Sequence, residues 1–409
     1  MSPRPGLYQF GPFQLDVAEH RLLCQGAEVG LQLKAFEILC LLVENAGRLL
    51  RKEDILARIW PDAVVEENNL NKNVSLLRKA LGESATSQTY IETVPRLGYR
   101  FVAEVTEIGR RKIAPVETSG SAQTPRQKIQ FCVTRDGVRL AYATAGSGYP
   151  LVKAANWLNH LDYEWDSPIW KHWIGKLTRH HRVIRYDERG NGLSQWDVKD
   201  MSLELWVQDL ETVVDAAGVE RFALLGISQG GAVAITYAIR HPERVSHLIL
   251  HGAYARGWNE RGSAEQLEGR RALETLVRLD WGKNNPDFKS MFTKIYIPNN
   301  ATPEQHQWFN DLQRISASPE NAARIMGVCN TIDVRSLLPQ ISVPTIVFHG
   351  DHDRAVPAEE GRILASEIPG ARFVPLSTGN HILLAGEPAW RVFVEELGAF
   401  LGWQNAQAG

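Results

Sequence analysis

The segment Phe222-Ala223-Leu224-Leu225-Gly226-Ile227-Ser228-Gln229-Gly230-Gly231-Ala232-Val233-Ala234-Ile235 reads as a strand, a sharp turn and a helix. Its first residues form an apolar run of strand length, and its last are small residues that suit a closely packed helix. Between them lies Gly226-x-Ser228-x-Gly230. At such an elbow the serine is strained and its hydroxyl exposed, while the glycines let neighbouring backbone pass close.

Outward from this elbow the same grammar repeats. Residues 151–154, 183–186, 248–252 and 345–349 are further apolar runs that read as buried strands. Polar helical stretches separate them, which predicts a mostly parallel sheet. Between about 254 and 338 the strands cease, and a helical insertion over the sheet is expected there. A final helix is expected over 388–401.

A serine hydroxyl needs a base to become a nucleophile, and the base needs a group to orient it. Downstream of the elbow, the strand at 345–349 runs into Gly350-Asp351-His352-Asp353-Arg354-Ala355-Val356-Pro357. Gly379-Asn380-His381 follows, just ahead of the last helix. With the turn Asp187-Glu188-Arg189-Gly190-Asn191-Gly192-Leu193-Ser194, these motifs resemble the α/β-hydrolase fold over residues 129–404, with a cap at roughly 254–338. The resemblance implies Ser228 as nucleophile, Asp353 as the acid and His381 as the base, with Asp351 a competitor for the acid. It implies an oxyanion hole made from the backbone N–H groups of Gln229 and Trp157. The family's usual His-Gly before the second donor is Ala155-Asn156 here, and the Asn156 amide is a further donor to consider. The turn at 187–194 is expected to support the fold, not the chemistry.

Tyr163, Trp165, Trp170, Trp258, Trp281, Phe292, Tyr296 and Trp308 crowd the insertion and the loop after Trp157. Some belong to plain core. A lid of this kind implies a pocket for a small lipophilic ester, thioester or lactone, with no metal and no organic cofactor.

The first hundred residues follow different rules. Short strand-like pieces at 7–13 and 21–24 precede helical patterns at 34–45, 51–60 and 68–81, and a hairpin pattern spans 90–105. On the third helix Leu70, Val74, Leu77 and Leu81 make one narrow apolar stripe. Asn68, Asn69, Lys72, Ser75, Leu76 and Lys79 lie opposite, with Asn73 and Arg78 on the flanks. Amides near the start suit base edges, and cations further along suit phosphates.

Leu33-Lys34-Ala35-Phe36-Glu37-Ile38-Leu39, Leu56-Ala57-Arg58-Ile59-Trp60-Pro61-Asp62, Ser75-Leu76-Leu77-Arg78-Lys79-Ala80-Leu81 and Ile91-Glu92-Thr93-Val94-Pro95-Arg96-Leu97-Gly98-Tyr99-Arg100-Phe101 occur in that order. This series resembles the OmpR/CadC-type winged helix-turn-helix. The resemblance implies a domain over 1–106 that binds double-stranded DNA, followed by a linker over 107–128. Its third helix would enter the major groove and its wing the adjacent minor groove. Asn69, Lys72, Asn73 and Leu76 would face the bases, Arg78 and Lys79 the phosphates, and Arg96 would stand at the wing tip.

Composition sets the bounds. A chain of 409 residues is long enough for two or three domains. The expected fold class is therefore multidomain, an α+β winged helix followed by an α/β hydrolase with a helical cap. The net charge is -2, and residues 1–110 hold 13 Lys/Arg against 14 Asp/Glu. Counterion-release affinity for DNA should be modest, which a homodimer on paired half-sites would offset. Cys24, Cys40, Cys132 and Cys329 have no metal-ligand spacing and suit reduced thiols in the cytoplasm. No run approaches the roughly 18 apolar residues of a spanning helix, so no membrane association is expected.

Three functions fit this sequence: a regulator whose hydrolase domain senses and cleaves a small ligand, a receptor that binds without turnover, and an esterase with a vestigial winged helix.

Overall fold

The computed structural model describes residues 7–17, 21–31, 33–59, 67–83, 89–94, 97–107, 127–283 and 285–403. They fall into two compact units, one reaching Glu107 and the other starting at Gln127. The linker expected over 107–128 lies almost wholly outside the described residues.

In the first unit β1 (Leu7–Phe10), β2 (Phe13–Asp16), β3 (Arg21–Cys24) and β4 (Ala27–Glu28) make an antiparallel meander. The stretch read as one strand over 7–13 turns back at Gly11, which has a φ of +52°. Then come α1 (Leu33–Glu44), β5 (Leu49–Arg51), α2 (Lys52–Ile59) and α3 (Glu67–Ala80). β6 (Ile91–Val94) and β7 (Gly98–Phe101) form the hairpin, and β5 pairs with β7 on its other side. β8 (Thr106–Glu107) closes the unit by pairing with β1. Leu70, Val74, Leu77 and Leu81 on and just after α3 are all buried, as the apolar stripe required. They pack in one core with Ile38, Leu39 and Ile55 from the other two helices and Phe101 from the hairpin. This is a winged helix-turn-helix arrangement.

The second unit is built on eight strands in the order β16-β15-β14-β13-β11-β12-β10-β9. β9 (Lys128–Val133) and β10 (Arg139–Ala145) are an antiparallel edge. β11 (Pro150–Lys153), β12 (Arg182–Tyr186), β13 (Phe222–Ile227), β14 (Val245–His251), β15 (Thr345–Gly350) and β16 (Arg372–Leu376) are mutually parallel. Side chains alternate across this sheet. Phe222 and Leu224 enter one core, while Ala223, Leu225 and Ile227 enter the other.

Helices cover both faces. Of the chain's next helices, α4 (Leu161–Trp165) and α5 (Lys171–Thr178) follow β11, and α6 (Leu203–Ala216) and α7 (Gly230–Arg240) flank β13. Trp206 and Val207 of α6 and Val233 of α7 join the first core; Trp173 and Ile174 of α5 join the second. Between β14 and β15 the chain makes α8 (Trp258–Arg261), α9 (Ala264–Asp280), α10 (Pro286–Tyr296), α11 (Pro303–Ser316) and α12 (Pro319–Thr331). Their starts are written in the sequence: Ser263 with Gln266 and Thr302 with Gln305 close capping boxes. α13 (Ala358–Glu367) and α14 (Pro388–Leu401) complete the unit. No helix among the described residues is long and apolar enough to cross a membrane.

The turn at 187–194 is a buried brace. Asp187 accepts from Asn159 Nδ2 at 3.0 Å and from the N–H groups of Leu161 at 2.9 Å and Leu193 at 2.7 Å. Arg189, only 1 % exposed, donates to both oxygens of Asp209 at 2.5 and 2.7 Å and to Asp136 at 2.8 Å. Removing one member of a buried pair strands the other charge. Arg189→Ala is therefore expected to lower the unfolding free energy of this unit by about 3–5 kcal/mol in urea titrations. A loss below about 1 kcal/mol, the usual worth of an exposed pair, would contradict the brace.

Candidate active site and nucleic-acid interface

Parallel strands leave their ligand crevice where the strand order reverses, outside the carboxyl ends. Here that place lies between β11 and β13, because the chain passes from β11 to β12 on one side and then to β13 on the other. Ser228 follows β13 and Trp157 follows β11.

Ser228 has a φ of +54°, in the left-handed region that side chains avoid. The elbow is held by close packing. A Cβ on Gly226 would stand 2.7 Å from the Cα of Gly231, so only hydrogen fits. The Ser228 N–H donates to His251 O at 3.0 Å, tying the elbow to the end of β14. One residue on, Gly252 gives His381 its place: a Cβ there would lie 2.8 Å from His381 Cε1.

Asp353 Oδ2 lies 2.6 Å from His381 Nδ1. Asp353 Oδ1 accepts the N–H groups of Ala355 at 2.8 Å and Val356 at 3.0 Å. Both oxygens are thus fixed. Burial alone would raise this carboxyl's pKa, but the charge of His381 and its hydrogen bond outweigh burial and hold it below the usual range. Asp351, the competitor, is exposed. His381 Nε2 is buried and has no hydrogen-bond partner.

The loop that carries His381 is clasped from three sides. His381 N–H donates to Tyr296 O at 2.8 Å, and the neutral-side partner His251 places Nε2 3.1 Å from His381 O. Burial first, then the nearby His381, push the His251 pKa down to about 3. Asn380 bonds Asn299 through both amide atoms, at 2.9 Å each, and Glu387 at 2.9 Å. Tyr296 and Asn299 sit in or just after α10, so the insertion sets the histidine's position. No sequence pattern announced these partners.

The oxyanion expectation needs a correction. The Trp157 N–H is not open: it donates to the side-chain Oε1 of Gln229 at 2.8 Å. Gln229 Nε2 in turn donates to Glu188 Oε1 at 2.6 Å. Glu188 is buried, and burial pushes its pKa up to about 8. Asn156 is also engaged, accepting from the buried Lys153 ammonium through Oδ1 and donating to Trp157 O at 3.3 Å. Burial lowers the Lys153 pKa to about 8. The backbone N–H of Gln229 stands at the cap of α7, where a helix leaves its first donors unpaired. Sequence reading treated residue 229 only as a backbone donor and gave its side chain no role.

A cavity of about 280 Å³ opens beside Ser228. Trp157, Tyr254, Trp258 and Tyr296 line it, with Arg261, Arg270 and Arg354. The aromatic lid is thus smaller than expected. Trp170, Trp281, Phe292 and Trp308 are buried in core packing, with Trp157 stacked on Trp281 at 5.5 Å. The arginines were not anticipated. No group of three or more potential metal ligands occurs among the described residues.

On α3, Lys72, Ser75 and Lys79 are exposed and Leu76 is half-buried. Asn69 falls within α3. Two expectations are corrected. Asn73 is only 8 % exposed, because it lies on the side of the helix shared by Leu70 and Leu77, and it offers little surface to a groove. Arg78 is a strut, not an open cation: it donates to Ile91 O and to Thr93 Oγ1, both at 2.7 Å, and so ties α3 to the wing strand β6. Arg96 lies outside the described residues.

Comparison with known proteins agrees with both halves. Residues 26–101 match the family described as transcriptional regulatory protein, C terminal. An AB hydrolase superfamily protein of Bacillus subtilis, YisY, is 28 % identical over 61 % of this chain and 91 % of its own length. A putative carbamate hydrolase of Azorhizobium caulinodans, RutD, is 28 % identical over 64 % of this chain and 95 % of its own. The crystal structure of a hydrolase from Pseudomonas aeruginosa superposes with a TM-score of 0.55 at 26 % identity, covering 67 % of this chain and 98 % of that one. Residues 162–388, more than half of the 409, match the family model for the alpha/beta hydrolase fold, and the chain belongs to that family.

Proposed function

We propose that this chain is a DNA-binding transcriptional regulator whose hydrolase domain binds and cleaves a small ester, thioester or lactone with a largely apolar body. The observation that carries the reading is the 2.6 Å bond from His381 Nδ1 to Asp353, with Nε2 left unpaired and Ser228 held strained at the elbow. Asp353 would fix the ring so that Nε2 is the basic nitrogen. Ser228 Oγ would attack the carbonyl carbon as Nε2 takes its proton. The carbonyl π pair would move onto oxygen, facing the Gln229 N–H. Collapse would expel the leaving group, which takes the proton from His381. Water would then repeat the sequence on the acyl-enzyme, releasing the acid and restoring Ser228.

One observation favours a second reading, a receptor without useful turnover. With Gln229 Oε1 on the Trp157 N–H, only one expected oxyanion donor is open. In the enzyme reading this amide swings aside as the oxyanion forms. In the receptor reading it stays.

Hydrolysis of a panel of p-nitrophenyl esters and lactones separates these readings. Ser228→Ala is expected to lower kcat by about 10³-fold or more, and Asp353→Asn by a comparable factor. Turnover that survives Ser228→Ala would rule out the triad. Gln229→Ala keeps its backbone N–H and frees that of Trp157. In the enzyme reading the Trp157 N–H already serves the wild-type oxyanion, so kcat of Gln229→Ala should stay within about tenfold of the wild type's; in the receptor reading the freed donor should raise a near-zero kcat by about 10²–10³-fold.

Promoter-length duplex DNA tests the other half. In the full chain Lys79→Ala should weaken binding and reduce the salt slope by about 1, and Lys72→Ala should weaken binding and relax base preference. Binding that ignores salt, or no binding at all, would leave an esterase with a vestigial winged helix.

A further inference from the structure

The guanidinium of Arg261 is built into the wall of the Ser228 cavity and makes no ion pair among the described residues. It stacks over Tyr254 at 4.9 Å and over Trp258 at 4.5 Å. Its Nε and Nη1 are buried with no hydrogen-bond partner. Buried charged donors are nearly always paired, and an unpaired one is destabilising. Burial lowers the pKa of this arginine, with Tyr254 and Glu360 acting in the opposite direction.

The surroundings do not relieve it. Glu360, whose charge reaches Arg261, is already gripped by Arg256 at 2.8 and 3.0 Å and by the N–H of Arg256 at 3.1 Å. Arg270, stacked on Trp258 at 5.8 Å, reaches only the neutral Asn330, at 3.0 Å. Arg354 adds a third cation. No Asp or Glu lines the cavity among the described residues. Arginine binds carboxylates through charge-assisted hydrogen bonds, and here two of its donors, Nε–H and Nη1–H on different edges of the guanidinium, stand open.

We propose that the ligand cleaved at Ser228 carries a free carboxylate, which Arg261 receives while the aromatic walls hold the ligand's apolar body. The substrate class is then a hemiester, or a lactone or thioester bearing a carboxylate, in place of a wholly lipophilic ester. This rests on the reading of Ser228 as the reacting serine. Arg261 is here a specificity-determining residue, and no step of the bond chemistry passes through it.

The test compares p-nitrophenyl hemiesters of succinic, glutaric and adipic acid with the neutral butyrate, valerate and hexanoate esters, using the full chain. Wild type should prefer at least one hemiester by about tenfold or more in kcat/KM, mostly through KM, as expected for a charged hydrogen bond. Arg261→Gln should erase that ratio, and Arg261→Lys should restore part of it. Arg261→Met should unfold at the same temperature as wild type or higher, whereas an arginine kept for structure would lower it. A neutral-ester preference in wild type, or a hemiester preference that survives Arg261→Gln, overturns the proposal.

Failure of turnover is told apart by calorimetry. If no ester is hydrolysed, the enzyme reading fails, and monomethyl glutarate is titrated into wild type and Arg261→Gln. Binding lost with Arg261→Gln upholds the carboxylate site in a receptor. No binding to wild type overturns it, as does methyl phosphate binding in its place.

Discussion

The close approach of Gly226 and Gly231 governs the second unit. With no Cβ between them, α7 starts directly beneath the end of β13, and the single residue at the apex is forced to a φ of +54°. Such a conformation costs roughly 1–3 kcal/mol and persists only when the surroundings over-determine it. They do so here. The Ser228 N–H is tied to β14, and both cores press on β13 from opposite faces. The same geometry brings the start of α7 against the loop after β11. That contact lets the side chain of Gln229 meet the Trp157 N–H.

Around this elbow lies a second layer that the mechanism does not touch but depends on. Arg189 with Asp209 and Asp136, and Asp187 with three N–H donors, fasten the turn after β12. Glu188, in the middle of that turn, accepts the Gln229 amide. A segment that reads as fold support thus also orients a side chain at the serine. The insertion works in the same double way. α10 carries Tyr296, which holds the His381 backbone, and α8 and α9 carry the arginines that give the cavity its charge. Tyr296 thus belongs both to the cavity wall and to the backbone grip on His381.

The first unit obeys a simpler logic. One apolar stripe on α3 buries itself against α1 and α2, and the polar face that remains is what DNA would meet. Arg78 shows why a helical wheel overcounts that face. A long side chain on the flank finds the carbonyl of Ile91 and the hydroxyl of Thr93 before it finds solvent. Asn73 errs the other way, since a flank position three residues from Leu70 and four from Leu77 is already covered.

The sequence by itself determined what repeats along the chain or sits at a fixed offset. The apolar runs at β11 to β15, the stripe on α3 and the glycine-framed serine are local, because strand and helix periodicity and turn sterics act over a few residues, whereas Asp353 and His381 were legible only through the family resemblance. β9 and β16 lack a continuous apolar run because they are edge strands half-exposed to water. Only the tertiary structure decided which donors and charges are already engaged. Gln229 lies 72 residues from Trp157, and Asn330 lies 60 from Arg270. Whether a polar group is satisfied depends on who meets it after folding, and no local pattern carries that information.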